Sequence, residues 1–108
     1  MNDVRAVVRN ELLFREVNER IFQVASSETE GLEVPCECGD ESCISSLTIS
    51  VGDYRRIRAE ASRFIVCNEH EQAEIERVVE RTPEYLVVEK TGRAREVLDD
   101  WKIDRTAT

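Results

Sequence analysis

Three cysteines within eight residues are the feature that most constrains how this chain can fold. Cys36, Cys38 and Cys43 have the spacing C-x-C-x4-C, and Cys67 and His70 follow downstream as C-x2-H. Zinc in proteins usually has about four nitrogen or sulfur ligands arranged as a tetrahedron. These five side chains are all the cysteines and the one histidine of the chain. Their spacing predicts a metal site that staples the fold.

The fourth ligand can be His70 or Cys67. Zinc with three cysteines and one histidine has a net charge of about −1, whereas four cysteines give about −2, which costs more to bury. Cys67 ends the apolar run Phe64–Cys67 and can act as a small hydrophobic residue in the core. His70 lies just beyond, in a polar loop. We therefore predict that zinc binds Cys36, Cys38, Cys43 and His70, with Cys67 as the reserve ligand.

The length and composition predict one small domain over residues 1–108. With 41% hydrophobic residues, the chain can bury only a modest core, and a metal commonly supplements a core of that size. The net charge of −8 opposes binding to nucleic acid and to anionic membranes.

The chain shows no targeting or membrane signal. Charged residues interrupt the first eleven positions, and no apolar run approaches the roughly 18 residues of a membrane span. These features predict a cytoplasmic protein. Because cytoplasmic thiols stay reduced, clustered cysteines there indicate metal or redox chemistry rather than structural disulfides.

The pattern of apolar residues predicts an α+β domain, with a long N-terminal helix over residues 3–25 and a small antiparallel sheet. The first helix shows an apolar stripe at helical spacing: Val4, Val8, Leu12, Leu13, Val17, Ile21 and Val24. This face either packs on the domain alone or also meets a partner. Residues 26–31 are a polar break, and Leu32–Pro35 leads extended into the cysteines. Gly39-Asp40 then supplies a turn that returns Cys43 to the site.

The sequence pattern in the second half of the chain predicts two more helices and further strands. Residues 44–49 favour a strand, and Ser50 with Asp53 predicts a cap for a helix over 51–62. Phe64–Cys67 predicts a strand. Residues 73–90 are ambiguous: Ile75, Val78 and Val79 fit a helix face, but Thr82-Pro83-Glu84 lies between two β-branched runs, and we favour a hairpin. A short helix over 93–101, with Val97, Leu98 and Trp101 facing inward, precedes a tail at 102–108.

Three stretches resemble a group of small, uncharacterised actinobacterial proteins: Asn10–Ile21, Cys36–Cys43, and Ile75–Arg81 through Tyr85–Lys90. The resemblance covers about residues 10 to 100. Those proteins carry the C-x-C-x4-C block and a later histidine in a Gly-His-Glu setting, which His70-Glu71 matches in part. The resemblance implies His70 as the fourth ligand. The chain departs from the group at Cys67 and at Asn68-Glu69, and the resemblance implies no activity.

Three functions are compatible with such a site. The first is a non-enzymatic regulatory or adaptor domain with structural zinc, acting through a protein partner, because four protein ligands leave no position for a substrate water. The second is a zinc hydrolase or deaminase, with Glu37, Glu41, Glu69 or Glu71 as the base, although neither H-E-x-x-H nor a deaminase signature occurs. Outside these three functions, a zinc-thiolate redox sensor is a further alternative.

The third function is nucleic-acid binding. A locally basic segment carries Arg55, Arg56, Arg58 and Arg63 beside Tyr54, which could stack on a base. The acidic balance of the chain favours a solvated face whose arginines pair with acidic neighbours. We expect the first of the three functions.

Overall fold

A computed structural model describes residues 4–24, 31–40 and 42–106. Residue 3, most of the predicted polar break at 26–31, Glu41 and the side chain of Trp101 lie outside the described part. The helices and strands, in chain order, are α1 Val4–Gln23, β1 Gly31–Pro35, β2 Ser46–Ser50, α2 Val51–Arg58, β3 Arg63–Val66, β4 Glu76–Arg81, β5 Leu86–Lys90 and α3 Gly92–Thr106. The α+β class is confirmed.

The strands form two antiparallel sheets rather than the single sheet that we predicted. One is the pair β1–β2, and the other has the order β3-β5-β4. The predicted β4–β5 hairpin is confirmed. Its turn closes because the Thr82 backbone N–H donates to the Tyr85 carbonyl at 2.9 Å, while the Thr82 hydroxyl accepts from the Tyr85 N–H at 2.9 Å.

Strand β5 lies in the middle of its sheet and is covered on both faces. Phe64, Val66, Leu86 and Val88 pack with residues of α1 and α3. On the other face, Ile65 and Val87 pack with residues of β1, β2 and α2. Strand residues alternate between the two faces, so this small sheet separates two apolar clusters. Cys36 and Cys38 belong to the first cluster.

Helix α1 buries only part of the stripe that its apolar residues predict, since Val8 is buried and Val4, Leu12 and Ile21 pack against the core. Leu13, Val17 and Val24 are exposed. The buried face runs instead through Val7, Val8, Glu11, Arg15, Asn18 and Phe22. The three polar members are tolerated because each has a partner from another element: the Lys90 ammonium, the Ala61 carbonyl and the Glu37 carboxylate, respectively.

The other two helices differ from prediction mainly in length. Ser50 caps α2, since its hydroxyl accepts from the Asp53 N–H at 3.1 Å. The helix ends at Arg58, four residues early, and a turn then leads to β3. Helix α3 runs from Gly92 to Thr106, so the predicted tail is helical as far as residue 106. Val97 and Leu98 are buried, as predicted.

Candidate metal centre

Four potential ligand atoms meet at one point of the fold. The sulfurs of Cys36, Cys38 and Cys43 and a ring nitrogen of His70 all lie within 4.8 Å of one another. Cys36 and Cys38 are 2% and 3% exposed, whereas Cys43 and His70 are half-buried. The site is therefore set into the surface of the core, with one side facing solvent.

The two spacings between sulfur and nitrogen match those of a tetrahedral zinc ion. Zinc–sulfur bonds of about 2.3 Å and zinc–nitrogen bonds of about 2.0 Å at tetrahedral angles place the sulfur and the nitrogen about 3.5 Å apart. His70 Nδ1 lies 3.6 Å from Cys36 Sγ and 3.5 Å from Cys43 Sγ. Both distances equal a tetrahedron edge, so the donor set and its geometry suit the metal.

The first ligand segment is fixed by backbone hydrogen bonds on both sides. It begins where Pro35 ends β1. The Cys36 N–H donates to the Ser45 carbonyl at 3.1 Å, and the Glu37 N–H donates to the Ile65 carbonyl at 2.9 Å. These bonds hold the segment between the start of β2 and the end of β3, which is why Cys36 and Cys38 are buried.

Gly39 and Asp40 make the turn that brings Cys43 back, as predicted. Gly39 has φ of +80°, a conformation that glycine adopts without steric cost. The Asp40 carboxylate accepts from the Ser42 N–H at 2.9 Å and from the Ser42 hydroxyl at 2.7 Å, and these bonds hold the pKa of Asp40 below its usual value. The Cys43 N–H closes the turn on the Asp40 carbonyl at 3.0 Å.

The second segment delivers His70 just after β3. The His70 N–H donates to the Cys67 carbonyl at 3.0 Å, in a turn where Glu69 has φ of +70°. Cys67 is not one of the four atoms that lie within 4.8 Å of one another in the described part of the chain. Its thiol donates to the Ser46 carbonyl at 3.4 Å. Cys67 is half-buried at the edge of the core, not fully inside it as we expected.

Two backbone N–H groups point at sulfur atoms of the cluster. The Cys67 N–H lies 3.2 Å from Cys36 Sγ, and the Asp40 N–H bonds to the sulfur of Cys38. Donors of this kind stabilise thiolates and orient them toward a metal. The contact with Cys36, followed by burial, raises the pKa of Cys38. Crowded thiols resist ionisation, and a bound dication removes that resistance.

Buried polar groups of α1 clamp the cysteine loop, and sequence analysis missed them. The Asn18 amide donates to the Pro35 carbonyl at 3.0 Å and to Glu37 Oε2 at 2.8 Å. The Asn10 amide donates to the Gly39 carbonyl at 3.2 Å. Asparagines at helical spacing next to apolar residues were the available signal, but their partners depend on the tertiary fold.

Glu37 lies between two ligand residues in the chain, and its carboxylate links α1 to β3. Its Oε1 accepts from the Ile65 N–H at 3.0 Å, while its Oε2 accepts from Asn18. Burial raises the pKa of Glu37 to about 7, against the opposing effect of these hydrogen bonds. Because both oxygens are engaged, Glu37 is not placed as a free base.

The other acidic residues near the site differ in their location and in their hydrogen bonding. Glu69 lines a shallow depression of about 260 Å³ together with Cys38, Asp40, His70 and Gln72. Glu71 Oε1 is buried without a hydrogen-bond partner among the described residues. Glu41, the remaining candidate base, lies outside the described part of the chain.

Three arginines of the basic segment are engaged with acidic side chains. Arg56 pairs with Glu80 at 2.8 Å, and Arg63 with Glu89 at 3.2 Å. Arg58 pairs with Glu19 at 3.2 Å. Tyr54 is 2% exposed, and its ring stacks on Phe22 with centroids 4.1 Å apart. This tyrosine is therefore not presented to an external base.

No family model, curated protein or solved structure matches the chain. None of the helices in the described part is long and apolar enough to cross a bilayer. The resemblance to actinobacterial proteins stays a prediction. What the structure does show is the cluster of three cysteines and one histidine on which that resemblance partly rests.

Proposed function

We propose that this chain is a non-enzymatic regulatory or adaptor domain whose fold is held by a structural zinc ion. The ligands are Cys36, Cys38, Cys43 and His70. The observation that carries the proposal is the convergence of these four side chains, from two separate loops, within 4.8 Å. The protein acts through contacts with a protein partner.

The burial of the ligands supports a structural role. Cys36 and Cys38 belong to the apolar cluster that contains Phe64 and Leu98. A metal that joins such residues to the half-buried Cys43 and His70 ties the loop at 36–43 to the end of β3. For small metal-bound domains of this kind, the free energy of metal binding is also folding free energy.

The donor set favours zinc over an iron–sulfur cluster. Three thiolates and one imidazole at tetrahedral spacing suit Zn²⁺. Iron–sulfur clusters usually take four cysteines, and Cys67 is not among the four atoms that converge. The need for reduced thiols agrees with the cytoplasmic location that we predict.

The closed set of four ligands and the engagement of Glu37 support a role other than catalysis. Four protein ligands fill the coordination sphere and leave no place for a reactive water. Glu37, the acidic residue between two ligands, has both carboxylate oxygens bonded to Asn18 and Ile65. A hydrolase would require an open metal position and a base aimed at it.

The exposed side of α1 supports the role in protein contacts. Leu13, Val17 and Val24 are 55%, 46% and 84% exposed. Leu13 and Val17 are four residues apart on one line of α1, and Val24 follows directly after the helix ends at Gln23. An apolar groove on a partner protein could cover this line, in the way that amphipathic helices commonly dock.

Chelation tests the structural claim. Complete removal of metal from the purified protein should abolish its native circular dichroism and its cooperative thermal transition, and added Zn²⁺ should restore both. Retention of the native spectrum and the same melting temperature without metal would contradict a structural role.

Site-specific photo-crosslinking tests the contact surface. A photo-reactive residue at Val17 should give one discrete adduct with a partner protein. The control places the same residue at Glu84, an exposed position in the β4–β5 turn, and should give no such adduct. The partner is then identified and purified. If it bound the wild type and Leu13→Asp equally well, the α1 surface would not be the contact site.

A further inference from the structure

We propose that a hydroperoxide oxidises the thiol of Cys67, that Cys36 then forms a disulfide with the oxidised sulfur, and that this bond expels the zinc. The inference rests on the proposed zinc site and adds a regulated response to it. It gives a role to the one cysteine that lies next to the four-ligand cluster without belonging to it.

The contact between Cys36 and Cys67 carries the inference. The Cys67 backbone N–H lies 3.2 Å from Cys36 Sγ, so this sulfur lies directly against the backbone of Cys67. The neighbouring bond from the Glu37 N–H to the Ile65 carbonyl, at 2.9 Å, holds the two backbones side by side. A disulfide requires the two Cα atoms to lie about 4.4–6.8 Å apart, so two backbones held side by side are a precondition for this bond.

The exposure of the sulfurs sets the order of events. Cys67 is half-buried, whereas Cys36 is 2% exposed. Zinc binds the sulfur of Cys36 and shields it further. Of these two sulfurs, solvent-borne peroxide therefore reaches that of Cys67 first, and Cys36 meets the oxidised sulfur from inside the protein.

The reaction balances in two steps. In the first, the Cys67 thiolate attacks one oxygen of hydrogen peroxide, the O–O bond breaks, and sulfenic acid and water form. In the second, the Cys36 thiolate attacks the sulfenic sulfur, the S–S bond forms, and hydroxide leaves and is protonated to water. In sum, two thiols and one peroxide give one disulfide and two waters. The two sulfurs together lose two electrons, and peroxide gains them.

Loss of zinc follows from the second step. The electron pair of Cys36 that binds the metal is used in the new S–S bond. Zinc then keeps Cys43, Cys38 and His70 as ligands, without the most deeply buried thiolate of the set. The remaining three-ligand site holds the ion less tightly. Reduction by a dithiol reverses the change.

The experiment treats the zinc-loaded protein with hydrogen peroxide and follows released zinc with a chromogenic chelator. Peptides from the unreduced product are then mapped by mass spectrometry. We expect zinc release together with a Cys36–Cys67 cross-link, and restoration by dithiothreitol plus Zn²⁺. The variant Cys67→Ala should hold one zinc before treatment and release it at least about tenfold more slowly, because the thiol that peroxide oxidises first is absent. Cys67→Ser provides a second variant that keeps a polar side chain at the edge of the core.

The outcomes separate this inference from the zinc site itself. Zinc release from Cys67→Ala or Cys67→Ser at the wild-type rate would overturn the inference and leave the site intact. The inference would also be overturned if oxidation gave a disulfide between two of Cys36, Cys38 and Cys43 and left Cys67 unpaired. If the untreated wild type held no zinc, the proposed function would fail, and the disulfide map of the wild type would still decide whether Cys36 pairs with Cys67.

Discussion

Substitution of Gly39 by alanine should destabilise the protein strongly, because helix α1 passes very close to this residue. A Cβ at Gly39 would lie 2.7 Å from both Glu11 Cγ and the Val7 carbonyl oxygen, and 2.9 Å from Val7 Cγ1. The backbone there also has φ of +80°. Alanine therefore meets both a strained conformation and a clash with a helix backbone that cannot move aside cheaply.

The magnitude can be worked from these two terms. A non-glycine residue in the left-handed region costs about 1–2 kcal/mol. Overpacking against a fixed neighbour costs about 1–3 kcal/mol more. We expect Gly39→Ala to lose about 2–5 kcal/mol, which is a large part of the total stability of roughly 5–15 kcal/mol for a domain. Because Gly39 joins Cys38 to Asp40, zinc affinity should fall as well.

Two other glycines provide matched controls. Gly92 has φ of +53° but nothing within 4 Å of its added Cβ, so Gly92→Ala should cost only the conformational term, about 1–2 kcal/mol. At Gly31 the nearest atom is Thr48 Cγ2 at 3.5 Å, an ordinary contact, and Gly31→Ala should be neutral or slightly stabilising.

Urea unfolding at saturating zinc would rank the three variants. The expected order of destabilisation is Gly39→Ala, then Gly92→Ala, then Gly31→Ala. If Gly39→Ala were no more destabilising than Gly92→Ala, the close packing of α1 on the cysteine loop would be refuted.

Three further predictions concern the buried polar groups of α1. Lys90→Met should lose about 3–5 kcal/mol in urea unfolding, because it leaves Glu11 and Glu76 buried without their cation; adding Glu11→Gln should recover part of this loss. Burial raises the pKa of Glu11 well above its usual 4.5, so its contribution to stability is full below pH 4.5 and is lost as pH rises through the folded-state pKa. The free energy of unfolding should therefore fall less between pH 6 and pH 9 in Glu11→Gln than in the wild type, and parallel pH profiles would contradict the shift. Asn18→Ala should lower the free energy of unfolding by about 1–3 kcal/mol and weaken zinc binding, because it leaves an oxygen of buried Glu37 unpaired. An unchanged zinc affinity in a competitive titration would contradict this prediction.

Local chemistry made some features predictable from sequence. The cluster of three cysteines and one histidine followed from the residue types that zinc requires and from a turn that Gly39-Asp40 could form. The Ser50 cap and the β4–β5 hairpin also have short-range signals. The cap and the hairpin depend on residues close together in the chain, whereas His70 was assigned from its residue type, 27 positions after Cys43.

Features that depend on distant partners were not predictable. Apolar periodicity assigned Leu13 and Val17 to the buried side of α1, but the buried side carries Glu11. Its partner, Lys90, is 79 positions away. Likewise, the half-exposed position of Cys67 depends on how the end of β3 meets Ser46. A pattern that counts apolar side chains contains no information about such pairings.

The zinc content of two alanine variants tests the central claim most directly. The purified wild type, His70→Ala and Cys67→Ala would be compared for zinc per chain and for thermal stability. The account predicts one zinc per chain in the wild type and in Cys67→Ala, and loss of both zinc and stability in His70→Ala. Full zinc in His70→Ala with lost zinc in Cys67→Ala would contradict it, and would assign the site to the four cysteines.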